Sequence, residues 1–109
     1  MVIPGALDGV RVVEWGNFIS APFCGKVLAE LGADVIKVES PGPGDESRQH
    51  GPFPGQVPDP ERSGLFLFTN LNKRGITLDV HTTTGRGLLG RLLESADLSK
   101  DPTSGRTGY

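Results

Sequence analysis

The sequence predicts an α/β fold, a parallel sheet that opens with a βαβ unit and stops short. Three observations carry this. Val10 to Trp15 is a β-branched run closed by Gly9 and Gly16. Apolar residues then recur at helical spacing from Ala21 to Leu31, and Val35 to Val38 forms a second short apolar run. Strand, tight turn, helix, strand places the two strands parallel, joined by a right-handed crossover.

Each element has its own local reason. The first strand, Val10–Trp15, has the residue types that fit a pleated surface. Gly16 to Ser20 is the turn after it. In the first helix Cys24, Val27, Leu28 and Leu31 fall at i, i+3, i+4 and i+7, which predicts one apolar stripe. Ser20 is the expected N-cap, Pro22 is tolerated in the first turn, and Gly32 is placed to end the helix in a left-handed conformation. Ser40 to Ser63 is rich in Pro and Gly with scattered charges and reads as a long loop, a class of segment that is usually functional or mobile. A plain surface excursion is the alternative.

Leu65 to Thr69 is apolar and aromatic and fits either strand or helix. Gly75 to Val80 alternates and predicts a third strand. Thr84 to Ala96 predicts a helix capped by Thr82 or Thr83, with Leu88, Leu89, Leu92, Leu93 and Ala96 on one face. Gly85, Gly87 and Gly90 weaken it, by roughly 1 kcal/mol each if interior. Ser99 to Tyr109 is polar, broken by Pro and Gly, and without periodicity, so it reads as a tail in which the next parallel strand is absent. The expected organisation is therefore residues 1–98 as one α/β unit and 99–109 as a tail.

Composition narrows the function. The chain has 109 residues, enough for one modest core, and net charge -2; its 36% hydrophobic residues are low for a compact domain but not low enough for disorder. An acidic balance argues against a nucleic-acid partner, which needs a basic surface. The single Cys24 allows no internal disulfide. The first residues carry neither a basic nor an apolar leader region, and no apolar run reaches bilayer length, so a cytoplasmic protein is expected, with no membrane association.

The motif search is largely negative. The turn Trp15-Gly16-Asn17-Phe18-Ile19-Ser20 has one glycine, whereas a dinucleotide fingerprint needs several for backbone approach to a pyrophosphate. Glu39, at the end of the second strand, nevertheless sits where a ribose-binding acid would, so an NAD module stays as an alternative. His50 and His81 lack paired ligands nearby, so no metal is expected. Cys24, on the predicted apolar stripe, reads as a small hydrophobe. Asp45 and Glu46 read as a solvated loop pair. Lys73 and Arg74, with Lys37, form a basic cluster that fits either phosphate contact or a solvated edge. These residues alone give no reaction.

The order of segments resembles the class III CoA-transferases, a family that includes formyl-CoA transferase, carnitine CoA-transferase and α-methylacyl-CoA racemase. The resemblance rests on Leu7–Glu14, Ala21–Cys24, Leu28–Glu39, Pro41–Asp45, Asn70–Asp79, Gly85–Leu89 and Leu92–Asp97. Its most specific parts are Leu-Gly-Ala-Asp-Val-Ile-Lys-Val-Glu and the pattern Asn-x-Asn-Lys-Arg. It implies a Rossmann-like large domain in a longer protein, an interlocked homodimer, and acyl-CoA with a carboxylate acceptor as small-molecule partners. Coenzyme A enters as the acyl-CoA substrate, with no metal. In the transferase branch an aspartate attacks the acyl-CoA carbonyl, giving a mixed anhydride and then an aspartyl-CoA thioester. In the racemase branch a histidine and an aspartate exchange the proton α to the thioester.

Carried onto this chain, the resemblance implies CoA contacts from Phe18, Ile19 and Ser20 in the first turn and from Leu78, Asp79, Val80 and His81 after the third strand. Lys73 and Arg74 match the motif and are candidate CoA-binding residues or fold-holding ones. Ser40 departs from the pattern, standing where the formyl-CoA branch has an arginine. The resemblance places the catalytic aspartate, and the racemase histidine–aspartate pair, after the residues matched here. It therefore assigns this chain no catalytic residue and leaves a non-catalytic remnant as the other reading.

Overall fold

A computed structural model of the chain describes residues 5–101 and 106–108. The elements run β1 (Arg11–Glu14), α1 (Ser20–Glu30), β2 (Asp34–Glu39), α2 (Gly64–Thr69), β3 (Arg74–Thr77), α3 (Thr83–Glu94), β4 (Leu98–Asp101) and β5 (Arg106–Gly108). They build one sheet of order β3-β2-β1-β4-β5. The first four strands are parallel, with Val12 opposite both Val35 and Leu98, and β5 closes antiparallel on β4. The fold is α/β, as the sequence predicts. Because β2 and β3 lie on one side of β1 and β4 on the other, chain direction across the sheet reverses beside β1. Open α/β sheets bind ligands at the carboxyl ends of the strands at such a point.

The central strands are the most buried part. Val12, Val13, Val35 and Val38 are each 1% exposed. Val12 and Val35 pack with Ala29 and Ala33, and Leu7, Val10, Leu28 and Leu98 surround them.

Helix α1 departs from the predicted stripe. It buries Pro22, Gly25 and Ala29, while Val27 and Leu31 are exposed. The reason is close approach. A Cβ on Gly25 would stand 1.9 Å from Glu14 Oε1, so the helix lies on its small residues. Ser20 is the first helical residue rather than the cap, and Ile19 at the N-cap position makes no side-chain hydrogen bond. Gly32 ends the helix at φ +105° as expected. Thr82 caps α3 by accepting from Gly85 N, and Leu65–Thr69 proves helical, its N-cap Ser63 accepting from Phe66 N.

The third strand is shorter than predicted. It ends at Thr77, and Val80 belongs to the core at 6% exposure.

The absence of a strand after α3 is corrected. Leu98–Asp101 forms β4, parallel to β1, although it is mostly polar. Its register is fixed on the backbone. Asp97 N donates to Arg11 O at 2.9 Å and Arg11 N donates to Asp97 Oδ2 at 2.9 Å. Leu98 alone supplies the apolar anchor against the core. The expected tail lies outside the described residues at 102–105 and 109.

Candidate functional site

The strands β1 and β2 carry opposite charges into the interior. Glu14 and Lys37 are register partners, and their side chains are 0% and 2% exposed. Lys37 Nζ donates to Glu14 Oε2 at 2.9 Å and to Gly16 O at 3.2 Å, and lies 2.7 Å from Asp45 Oδ2. Lys73 Nζ lies 2.7 Å from Glu14 Oε1 and donates to Pro22 O at 2.8 Å and Asn70 Oδ1 at 2.7 Å. Glu14 Oε1 and Asp45 Oδ2 have no well-directed hydrogen bond, but each sits beside a lysine ammonium. Two carboxylates and two ammonium groups thus balance inside the protein, the arrangement that buried charge requires.

Burial pushes the Asp45 carboxyl up, but the Lys37 ammonium beside it and the hydrogen bonds from Ser47 outweigh it, and the group ends below its ordinary value. For Lys73 burial dominates. It holds the ammonium below its ordinary value despite the adjacent carboxylate of Glu14.

This network corrects two expectations. Asp45 is not half of a solvated pair. Its carboxylate is fully buried, and Oδ1 accepts from Ser47 N, Ser47 Oγ and Phe18 N at 2.8, 2.7 and 3.0 Å. Lys73 is not part of an open basic cluster, because its ammonium is enclosed by Glu14, Pro22 and Asn70. Arg74 faces Asp34, with bonds of 2.9 and 2.7 Å. Arg74 therefore ties β3 to β2 at the edge of the sheet.

The turn after β1 rests on this network. Phe18 has φ +69°, in the left-handed region that few residues other than glycine adopt. Its N–H points to Asp45 Oδ1 at 3.0 Å and Asn17 Oδ1 at 3.1 Å, and its ring packs on His50 at 4.9 Å. Ile19 is 45% exposed and Ser20 is also exposed. Asn17 Oδ1 accepts from Glu46 N at 2.7 Å, joining the turn to the start of the long loop.

That loop is anchored rather than a plain excursion. Arg48 donates to Glu39 through Nε at 2.8 Å and Nη2 at 2.7 Å, with its guanidinium 3.7 Å from the Phe66 ring centroid. Buried Ser63 lies with its hydroxyl 2.6 Å from Ser47 O and 2.5 Å from His50 O. Burial raises the Glu39 carboxyl, but the hydrogen bonds from Arg48 and Asp45 N bring it below its ordinary value. Arg48 is raised, first by its hydrogen bond to Glu39. Glu39 is therefore occupied by an arginine, which removes the one feature that favoured a ribose-binding acid.

Two adjoining hollows open at the carboxyl ends of the strands. One, of about 250 Å³, lies between the turn Trp15–Asn17 and the segment Glu39, Ser40, Gly44 and Asp45. The other, of about 210 Å³, runs from the same Glu39, Ser40 and Gly44 to Arg48, Glu61 and Thr77. They connect the neighbourhoods of both predicted contact stretches, since Asn17 precedes Phe18 and Thr77 precedes Leu78. Neither hollow is lined by Phe18, Ile19, Ser20 or Leu78–His81 themselves. Leu78 N donates to Glu39 O at 2.9 Å, and Asp79 Oδ1 accepts from His81 N at 3.0 Å, so that stretch is a turn entering α3. The Val80 side chain is buried and offers no surface there. Ser40, the position that departs from the formyl-CoA pattern, is exposed and shared by both hollows. Among the described residues no cluster of three or more His, Cys, Asp or Glu is arranged for a metal, and no helix is long and apolar enough to cross a membrane.

The fold is an α/β unit of the parallel, Rossmann-like kind. The sequence matches CoA-transferase family III over residues 7–105, and the chain belongs to that family. It is 42% identical over 98 residues to the succinyl-CoA–D-citramalate CoA-transferase of Chloroflexus aurantiacus, covering 87% of this chain and 23% of that protein. It is 44% identical over 95 residues to the formyl-CoA:oxalate CoA-transferase of Rhodopseudomonas palustris, covering 85% and 21%. A crystal structure of a CAIB/BAIF family protein from Brucella suis superposes with a TM-score of 0.77 at 40% identity, covering 89% of this chain and 25% of that one. The chain thus spans about a quarter of the length of these relatives.

Proposed function

We propose that this chain is the CoA-thioester-receiving unit of an acyl-CoA:carboxylate CoA-transferase. The observation that carries the reading is the pre-shaped turn Gly16–Ser20 at the carboxyl end of β1, beside the point where strand order reverses. Family membership over residues 7–105 supports CoA as the ligand class. The first hollow is below the about 300–1,000 Å³ typical of drug-sized ligands, so it receives one portion of an extended CoA thioester. Ile19 and Ser20 are proposed to meet the ligand from the β1 side, and Leu78, Asp79 and His81 from the β3 side. Lys73 and Arg74 are proposed to act on the fold and not on the ligand. Asp34 and Asp45 are both held by cations, so neither is offered as the attacking carboxylate. The reading assigns binding, not turnover, to these residues.

The test is titration of coenzyme A, and separately of NAD, into the 109-residue chain while its amide NMR spectrum is recorded. Coenzyme A should shift amides of Asn17–Ser20 and of Thr77–His81, and NAD should leave them in place. A folded spectrum that coenzyme A does not perturb would overturn the reading.

A further inference from the structure

The exposed part of the turn after β1 is shaped by charged side chains that are themselves buried. Lys37 grips its start through Gly16 O at 3.2 Å, and Asp45 grips its middle through Phe18 N at 3.0 Å. The two grips are one unit, because Lys37 Nζ and Asp45 Oδ2 are 2.7 Å apart with both side chains buried. Phe18 is a large residue at φ +69°, a conformation that persists only where its surroundings fix it. Its N–H is held by Asn17 Oδ1 at 3.1 Å and by the buried Asp45 carboxylate, which reaches it from 27 residues away and is itself oriented by Ser47 N and Oγ at 2.8 and 2.7 Å. The backbone then leads from Phe18 directly to exposed Ile19 and Ser20. Asp45 also forms part of the wall of the first hollow.

We propose that Asp45, seated on Lys37, is a positioning residue for the CoA-thioester site, holding the Phe18 turn in the shape that receives the ligand. The inference rests on the CoA-binding reading above. Although Asp45 borders the first hollow, its carboxylate is fully buried and acts through the Phe18 N–H. A turn released from Asp45 would relax Phe18 toward negative φ, re-aim Ile19 and Ser20, and have to be re-ordered on each binding event, which lowers affinity.

The experiment compares wild type, Asp45→Ala, Asp45→Asn and Asp59→Ala by coenzyme A titration and by amide exchange in the full chain. Asp59 lies in the same long loop, accepting from Glu61 N at 2.9 Å and facing Arg62 at 3.6 Å, and the Phe18 N–H bonds to Asn17 and Asp45 instead, so Asp59 controls for general loosening of that loop. In Asp45→Ala the Phe18 amide should exchange at least tenfold faster and the Kd for coenzyme A should rise at least tenfold. The amides of Val12, Val13 and Val35 should keep their shifts. Asp45→Asn, which keeps one acceptor oxygen, should lose less than Asp45→Ala. Asp59→Ala should stay within twofold of wild type. A folded Asp45→Ala with wild-type Kd overturns the inference and leaves CoA binding intact. If Asp45→Ala does not fold, Asp45→Asn decides, a Kd unchanged from wild type overturning the inference. No response of the folded wild-type chain to coenzyme A overturns the CoA-binding reading, and this inference falls with it.

Discussion

Glu14 holds the two buried lysines at once, Lys37 through Oε2 and Lys73 through Oε1. Removing its charge leaves two ammonium groups facing the single carboxylate of Asp45. Breaking a buried pair in this way costs about 3–5 kcal/mol, whereas replacing both partners by apolar groups of similar volume is close to neutral. Glu14→Gln should therefore lower the urea midpoint strongly. The double variant Glu14→Met with Lys73→Met should lose less than either Glu14→Met or Lys73→Met alone, since Lys37 keeps Asp45 and no Lys73 ammonium is left without its carboxylate. Losses that simply add would show that the groups do not form one network. A hint of this network stands in the sequence. Val-Ile-Lys-Val and Val-Val-Glu put opposite charges inside apolar runs of strands expected to be neighbours. Asp45 gave no such hint, because its burial depends on a loop folding back from 6 residues beyond β2 onto a turn 27 residues earlier in the chain. The two specific motifs are also largely structural. In Asn-x-Asn-Lys-Arg, Asn70 binds Lys73, Asn72 takes φ +67°, and Arg74 binds Asp34. In the other motif Gly32 ends α1, Lys37 is buried and Glu39 binds Arg48.

At the scale of elements, the βαβ opening was legible because β-branched runs and punctuating glycines act locally. The orientation of α1 was not. Its sequence stripe points to Val27 and Leu31, but the sheet beneath carries Glu14 and Lys73, and only the face of Pro22, Gly25 and Ala29 fits over them. Tertiary packing thus overrode the hydrophobic pattern. Gly25→Ala tests this directly. Its Cβ would meet Glu14 Oε1 at 1.9 Å and Lys73 Cε at 3.2 Å, so α1 must lift or Glu14 must leave its lysines. Although alanine favours a helix over glycine by about 1 kcal/mol, overpacking at such a contact costs about 1–3 kcal/mol. The variant should be net destabilised in chemical denaturation. An equal or higher midpoint would mean that α1 does not press on Glu14. The strand β4 was missed for a related reason. Its register comes from the bonds of the Arg11 backbone with the N–H and the carboxylate of Asp97 and from one leucine on the core, which a scan for apolar runs does not see.

For the whole molecule these contacts set how stability depends on pH. Asp34, Glu39 and Asp45 all have carboxyl groups held below their ordinary values of 3.8, 4.5 and 3.8. For Asp34 the hydrogen bond from Arg74 leads. For Glu39 and Asp45 burial acts the other way and is outweighed by Arg48 and by Lys37. A carboxyl whose folded pKa is depressed binds fewer protons folded than unfolded across the window between the two values. Its stabilisation is complete above the unfolded pKa and is lost as pH falls through the folded one. Asp34 is partly exposed and contributes little after solvent screening, so the less exposed Glu39 and the buried Asp45 dominate. Lys73 works at the other end. Its folded pKa is lowered from 10.5, so the unfolded chain holds the proton longer, and this lysine alone makes stability rise, not fall, as alkaline pH is approached. The unfolding midpoint should therefore stay level from neutral pH down to about 5 and decline steeply below about 4. Glu39→Gln, which removes one of the depressed carboxyls, should be less stable at pH 7 and show a shallower acid decline, so that the two curves converge near pH 2–3. A wild-type midpoint that held level to pH 3, or a parallel decline in both proteins, would mean that the loop 40–63 is not tied to the sheet through the Glu39–Arg48 pair.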